Sequence, residues 1–184
     1  MGQTVSEKII SKAAGLKEVK PGDVVTCSVD LAMIHDSGGP RRVKQIMEKL
    51  GANVWDPNKV VLVSDHFAHN TDSESMKILQ LTRDWAKGQK IDNFYDQEGI
   101  CHIVTPERGH LLPGMFAVGG DSHSPTGGAF GCFMFGVGST DMLGILVTGK
   151  TWVKVPETIN INWSGSLKQG VVAKDIALRM CAAL

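Results

Sequence analysis

The run Val60-Val61-Leu62-Val63 constrains the fold of this chain more than any other stretch. Apolar, mostly β-branched residues in unbroken succession suit a strand covered on both faces, as in a parallel sheet packed between helices. The run opens at Lys59 and delivers Ser64-Asp65-His66 at its carboxyl end. Similar runs are Val24 to Met33, with Val25, Cys27, Val29 and Leu31 on one face, the short Ile103-Val104, and Met115 to Val118. Between them the spacing turns helical: Thr4 to Ala14, capped by Thr4 or Ser6 and ended by Gly15; Arg41 to Leu50; and Asp72 or Ser73 to about Gly88. Strands alternating with helices predict a layered α/β fold.

Gly127 to Gly149 alternates glycine with large apolar residues and reads as a strand, loop and helix in close contact. Its glycines lack the GxGxxG spacing that a dinucleotide loop requires after a strand. Thr151 to Val155 and Thr158 to Trp163 read as short strands, and a helix begins near Lys168 and continues toward Leu184 without a stop signal. The expected organisation is a first domain over 1–163 and the start of a following, truncated segment over 164–184.

Nineteen basic and 19 acidic residues balance to zero formal charge, which leaves no electrostatic footprint for nucleic acid or a membrane surface. No apolar run reaches membrane-spanning length. Cys27, Cys101, Cys132 and Cys181 are widely spaced without a CxxC pair, so neither a zinc knuckle nor a disulfide framework is indicated. A reducing cytoplasm and a small polar ligand are the expectation.

The polar residues that remain fall beside predicted strands. Gly119-Gly120-Asp121-Ser122-His123-Ser124-Pro125 follows the last sheet run. Extended, it would send Ser122 to the face opposite Asp121 and His123; as a turn, it makes all three converge. His35-Asp36-Ser37 precedes the helix at Arg41, and His102 sits beside Ile103-Val104. Each has an ordinary structural reading: Asp36 or Asp121 as a cap, His102 as a core histidine bonded to backbone. His69 and His110 read as solvated surface. Against those readings stands the repeated pairing of a carboxylate with an imidazole, which fixes the ring tautomer and supports proton transfer. A divalent-metal hydrolase would use the same residue types, but no HxH or HExxH spacing occurs.

Five ordered blocks carry a resemblance: Ser64-Asp65-His66, Gly99-Ile100-Cys101-His102, Leu112-Pro113-Gly114, Gly120-Asp121-Ser122-His123 and Gly127-Gly128-Ala129-Phe130-Gly131. Together they resemble the amino-terminal part of the aconitase family, in particular its 3-isopropylmalate dehydratase (isopropylmalate isomerase) large subunits. The resemblance runs from about Thr4 to Trp163. It implies a three-layer α/β/α aconitase-like domain, and a hydro-lyase that dehydrates and rehydrates a hydroxy di- or tricarboxylate such as 3-isopropylmalate, in leucine biosynthesis. It further implies a [4Fe-4S] cluster with one open iron acting as Lewis acid, and a separate small subunit as partner.

Residue by residue, Asp65 and His66 resemble the pair that protonates the departing hydroxyl. His102 and Asp121 resemble a second imidazole–carboxylate pair near the iron-bound oxygen. Ser122 and His123 resemble substrate contacts, and His35-Asp36-Ser37 the first substrate loop. Ser124 stands where threonine is usual, and Phe67-Ala68-His69 also departs from the pattern. The cysteines that hold the cluster in the family lie further downstream, so no metal ligand is assigned on this chain, which reads as ending before the cluster-binding domain. The alternatives are a related hydro-lyase of the homoaconitase or dimethylmalate dehydratase type, or a catalytically silent carboxylate-binding or assembly fragment. Exposed docking surface on such a fragment would favour self-association.

Overall fold

A computed structural model describes residues 2–183. Helix α1 (Val5–Ala14) opens with a capping box: the Thr4 hydroxyl accepts from the Glu7 amide at 3.3 Å, and the Glu7 carboxylate accepts from the Thr4 amide at 2.7 Å. Of the two caps the sequence offers, Thr4 is the one used.

The long strand expected over Val24 to Met33 is two strands in two sheets. Strand β1 (Val24–Ser28) pairs antiparallel with β7 (Lys150–Lys154), whereas β2 (Leu31–His35) enters a five-stranded parallel sheet. The break falls at Val29-Asp30. The Val29 amide donates to the Gly149 carbonyl, while the Asp30 amide donates to the Phe116 carbonyl, each at 2.8 Å. The Asp30 carboxylate also accepts from the Phe116 amide at 2.9 Å. Neighbouring residues thus serve different sheets, and one continuous ladder cannot form.

The parallel sheet has the order β4 (Phe94–Asp96), β3 (Val60–Ser64), β2, β5 (Phe116–Gly119), β6 (Phe133–Gly136). Strands β2 and β3 are buried at every position, as their unbroken apolar sequences require. Ala32, Ile34, Val60, Leu62 and Val118 pack on one face, in a core shared with α1, α2 (Pro40–Leu50), α3 (Ser73–Gln89) and α5 (Ser139–Thr148). Leu31, Met33, Val61, Val63 and Ala117 pack on the other, against Cys101 of α4 (Cys101–Glu107), Leu111 and Met134. The three-layer α/β/α architecture is therefore present.

From β2 the chain winds outward to β3 and β4, then returns to the opposite side of β2 for β5 and β6. Right-handed crossovers place connecting segments on opposite faces before and after such a return. That accounts for α2 and α3 on one face and α4 on the other. The return creates a switch point between β2 and β5, where loops diverge at the strand carboxyl ends and a ligand crevice forms.

Three sequence expectations are corrected. Ile103-Val104 is not a strand but lies in α4, where Cys101, Val104 and Thr105 are buried and the Thr105 hydroxyl donates to the Cys101 carbonyl at 2.6 Å. Two adjacent apolar residues suit either period, and burial at i, i+3 and i+4 decides for the helix. The edge strand is β4 instead, ahead of α4. Thr158 to Trp163 forms no strand: its residues are exposed and pair with no sheet edge, and β propensity without a partner does not make a strand. The last helix starts at Ala173, not Lys168, because Gly170 takes φ +84° and the Asp175 carboxylate caps from the Val172 amide at 2.8 Å. Leu184 lies outside the described residues. Among those described, no helix is long and apolar enough to cross a membrane.

Candidate active site

Three of the polar clusters sit at the carboxyl ends of β2, β3 and β5, and the fourth comes from the first turn of α4. Asp36, just past β2, is fully buried. Its two oxygens accept from the backbone amides of His66 and Phe67, each at 3.1 Å, so the β2 loop fastens the β3 loop. Asp65 repeats the device one step on. One of its oxygens lies 2.6 Å from His66 Nδ1, and the other accepts from the Cys101 amide at 2.8 Å, which fixes the start of α4.

His102 projects from α4, where the sequence predicts a place beside a strand, and its Nε2 lies 2.8 Å from Asp121 Oδ2. Asp121 Oδ1 accepts from the His123 amide at 3.0 Å and from the Ser124 hydroxyl at 3.2 Å, which also reaches the Asp121 carbonyl at 2.9 Å. The motif is therefore a turn, the conformation in which its groups converge. His123 Nδ1 and His35 Nε2 stand 3.8 and 4.0 Å from the same Asp121 Oδ2, so three imidazoles surround one carboxylate oxygen. His35 stacks on His66, with ring centroids 4.3 Å apart and planes 17° apart.

His35, Asp36, Asp65, His66, His102, Asp121 and His123 thus form one contiguous network. Ser122 is exposed at its lip, and Ser37 holds the His35 ring through Nδ1 at 2.9 Å. His69 is exposed, and among the described residues its hydrogen bond runs from its amide to Gln97 at 3.0 Å and not to the network. His110 is half-buried rather than on the surface, since the Tyr95 hydroxyl reaches its Nε2 at 2.6 Å. Sequence reasoning missed the buried Ser124, which shapes the turn, and the Cys101 amide. A hydroxyl followed by proline at a helix start was the available sign for Ser124; a backbone donor leaves none. A cavity of about 180 Å³ adjoins Asp65, lined also by Ser64, His69 and Gln97. A larger one of about 420 Å³ lies between α1 and Lys150. Its lining includes no histidine, so the paired groups rather than the volume locate the chemistry.

Burial raises the Asp65 carboxyl, but the Cys101 amide and His66 outweigh it and hold it below the ordinary range. Asp121 behaves alike: burial raises it, and the His102 bond and charge bring it down. His35 is lowered, first by burial and then by His66, against the opposing pull of Asp65, Asp121 and Asp36.

These directions predict a two-step pH dependence of stability. Below 6.5, the ordinary imidazole value, the unfolded chain protonates His35 while the folded chain leaves it neutral. The unfolded state then binds more protons, and stability falls as pH drops. Asp65 and Asp121 stay ionised in the fold below their ordinary 3.8; their contribution is present above that value and is lost as pH falls through their folded values. Thermal melting should therefore decline from about pH 6.5 and more steeply below about 4. His35→Gln should shrink the first step, and His110, also lowered by burial, should supply the remainder. A melting temperature constant from pH 7 to 5 would contradict this assignment.

His35, Asp36, Asp65 and His66, and separately Cys101, His102 and Asp121, offer nitrogen, oxygen or sulfur atoms within 4.8 Å of one another, close enough for a metal ion. Every carboxylate in these groups already accepts a backbone amide, so the network is held in shape by the protein itself.

Residues 7–184 match the aconitase family (aconitate hydratase). The chain belongs to the aconitase family. Among family relatives, it is 44% identical over 181 residues to 3-isopropylmalate dehydratase large subunit 1 of Methanopyrus kandleri, covering 98% of this chain and 43% of the relative. It is 42% identical to the 3-isopropylmalate dehydratase large subunit of Aquifex aeolicus, covering 97% and 41%. It is 45% identical to a probable methanogen homoaconitase large subunit of Methanothermobacter thermautotrophicus, covering 96% and 42%. The chain spans less than half the length of these curated relatives.

In this aconitase-family chain the cysteines do not gather. Cys27 donates to the Ile10 carbonyl at 3.8 Å and Cys132 to the Leu112 carbonyl at 3.2 Å. Burial pushes the Cys27 thiol up to about 11, and it also raises Cys132 and, with help from Asp65, Cys101. Cys181 is exposed on α6 (Ala173–Ala183).

Proposed function

We propose that this chain supplies the acid–base wall of a hydro-lyase that interconverts hydroxy di- or tricarboxylates through an unsaturated acid, with 3-isopropylmalate the leading substrate. The observation that carries the reading is the convergence of two imidazole–carboxylate pairs, at 2.6 and 2.8 Å, on the switch point of a parallel sheet. Hydroxide leaves poorly, so elimination needs a positioned acid at the departing oxygen. With Nδ1–H donating to Asp65, His66 acts as an acid when doubly protonated: its second proton, on Nε2, passes to that oxygen and leaves the neutral ring still bonded to Asp65. His102, oriented by Asp121, holds the same end of the substrate; Ser122 and His123, at the exposed lip, contact its carboxylates, and His35-Asp36-Ser37 form the loop beneath.

A [4Fe-4S] cluster, implied by the family resemblance, requires thiolates brought together. The cysteines of this chain do not fit that requirement: they are dispersed, and burial holds Cys27, Cys101 and Cys132 as protonated thiols. We place the cluster ligands outside these residues and derive no step through the cluster. The working enzyme on this reading joins the 1–163 domain to the polypeptide that carries the cluster and to a small subunit, in the cytoplasm, in leucine biosynthesis. The homoaconitase-named relative keeps a longer tricarboxylate in view as substrate.

The test is turnover by the assembled enzyme, followed through ultraviolet absorbance of the unsaturated product. Asp121→Asn should keep the fold and lower kcat by about 10²–10⁴-fold, the usual worth of a general acid–base pair. Full activity in that variant would sink the assignment. A second reading is favoured by the dispersed thiols: the chain alone binds the hydroxy acid without converting it. Calorimetry with 3-isopropylmalate would show saturable heat and no product.

A further inference from the structure

The tautomer of His35 is set by its surroundings. The Gly38 amide points at His35 Nδ1 from 3.3 Å, and the Ser37 hydroxyl lies 2.9 Å from the same atom. A backbone N–H can only donate, so Nδ1 presents its lone pair, and a neutral ring must then carry its proton on Nε2. That second nitrogen is the unusual one. The His35 side chain is 4% exposed, and among the described residues Nε2 has no hydrogen-bond partner. Buried donors are rarely left so. Asp121 Oδ2, at 4.0 Å, is too far for a direct bond.

Two glycines border the Nε2 edge of the ring, so no side-chain carbon occupies the space beside it. A Cβ on Gly38 would sit 3.1 Å from His35 Cε1, and one on Gly120 would sit 3.6 Å from Nε2. A separation of 4.0 Å between Nε2 and Oδ2 suits one oxygen lying between them, in bent geometry, at ordinary bonding distance from both. That oxygen must accept from His35 and donate to a carboxylate. A carboxylate oxygen cannot do both, whereas a water molecule or a hydroxyl can, and a substrate hydroxyl can take the place of such a water.

We propose that His35, locked with its proton on Nε2, donates a hydrogen bond to the hydroxyl oxygen of the substrate, which in turn donates to Asp121, and that His35 is therefore a hydroxyl-recognising residue rather than a proton-transfer base. This inference deepens the proposed dehydratase reading and rests on it for the identity of the hydroxyl. The charged and titratable groups facing the ring are Asp36 from its own loop, Asp65 and His66 from the β3 loop, and Asp121 from the β5 turn. Stacking on His66 opposes a charge on His35.

The first arm of the test needs no ligand. Nitrogen-15 NMR of the histidine-labelled chain at pH 7 should show His35 with an unprotonated Nδ1 and a protonated Nε2; the reverse tautomer, or an imidazolium, overturns the proposal. The second arm uses the assembled dehydratase. His35→Gln places an amide donor near the Nε2 position, whereas His35→Asn mimics only Nδ1, and both remove the stacked ring. His35→Asn should raise KM for 3-isopropylmalate about tenfold or more, as expected for losing a bond to a charge-linked hydroxyl. His35→Gln should stay within about threefold of the parent, and inhibition by 2-isopropylsuccinate, which lacks the hydroxyl, should change equally little in both. Equal losses in the two variants, or an equal weakening of the deoxy inhibitor, would show a merely structural role and overturn the proposal. A parent enzyme that cannot turn over 3-isopropylmalate would sink the dehydratase reading, while the tautomer measurement would still decide the state of His35.

Discussion

Gly136→Ala is expected to destabilise the fold by about 1–3 kcal/mol, the range for forcing volume into a packed interior, and to lower the melting temperature by roughly 3–10 °C for a chain of this size. The Cβ would run into the backbone carbonyl oxygen of Asp121 and lie 2.9 Å from its carbon. Backbone cannot rotate aside as a side-chain tip can, so the turn bearing Asp121 must move and the 2.8 Å bond to His102 must stretch or break. Activity should fall with stability, because the same displacement harms both. Gly144→Ala is the matched control. It lies in the exposed part of α5 with nothing within 4 Å of the added carbon, and helix propensity should give about 0.5–1 kcal/mol of stabilisation. If the two variants melt alike, the close approach of β6 to the motif does not matter.

Asp36→Ala should be the most damaging single change at the site. It removes the acceptor for two amides, His66 and Phe67, from a fully buried position. Each part-buried donor left without a partner costs about 1–3 kcal/mol, so the loss of two should total about 2–6 kcal/mol. Asp36→Asn retains one oxygen for one amide and turns an NH₂ group toward the other, so it should fall between the parent and Asp36→Ala. Urea unfolding midpoints would rank the three. Indistinguishable midpoints for Asp36→Ala and the parent would refute the clamp.

Much of this was legible because local chemistry and global fold agree in places. The Lys59–Val63 run is fully buried as β3 from Val60 onward, and Asp65-His66 follow it at the crevice. Thr4 caps α1, and Asp121 to Ser124 form the expected turn, though Gly119 serves it by leaving room for the Ser124 side chain and not by a left-handed φ. What was not legible depends on distant partners. The break between β1 and β2 is fixed by Asp30 meeting Phe116, 86 residues away, and no window around Val29 contains that information. Likewise β4, with no β-branched residue, is a strand because β3 offers its edge, and Thr158 to Trp163 is not one because no edge is offered. At the site the residue types were readable and the fastenings were not. Asp36 looked like a cap because its donors are amides on another loop, without a side-chain signature.

Asp36 grips main-chain nitrogen with both oxygens and Asp65 with one, its other oxygen holding the His66 ring, and a main-chain target leaves the side chain at that position free of the fastening. Phe67 supplies its amide whatever its side chain is, so this part of the crevice rim can be rewritten for a longer, shorter or more acidic ligand while its framework stays bolted. Divergence in ligand preference among chains of this build can proceed through such positions without reassembling the crevice.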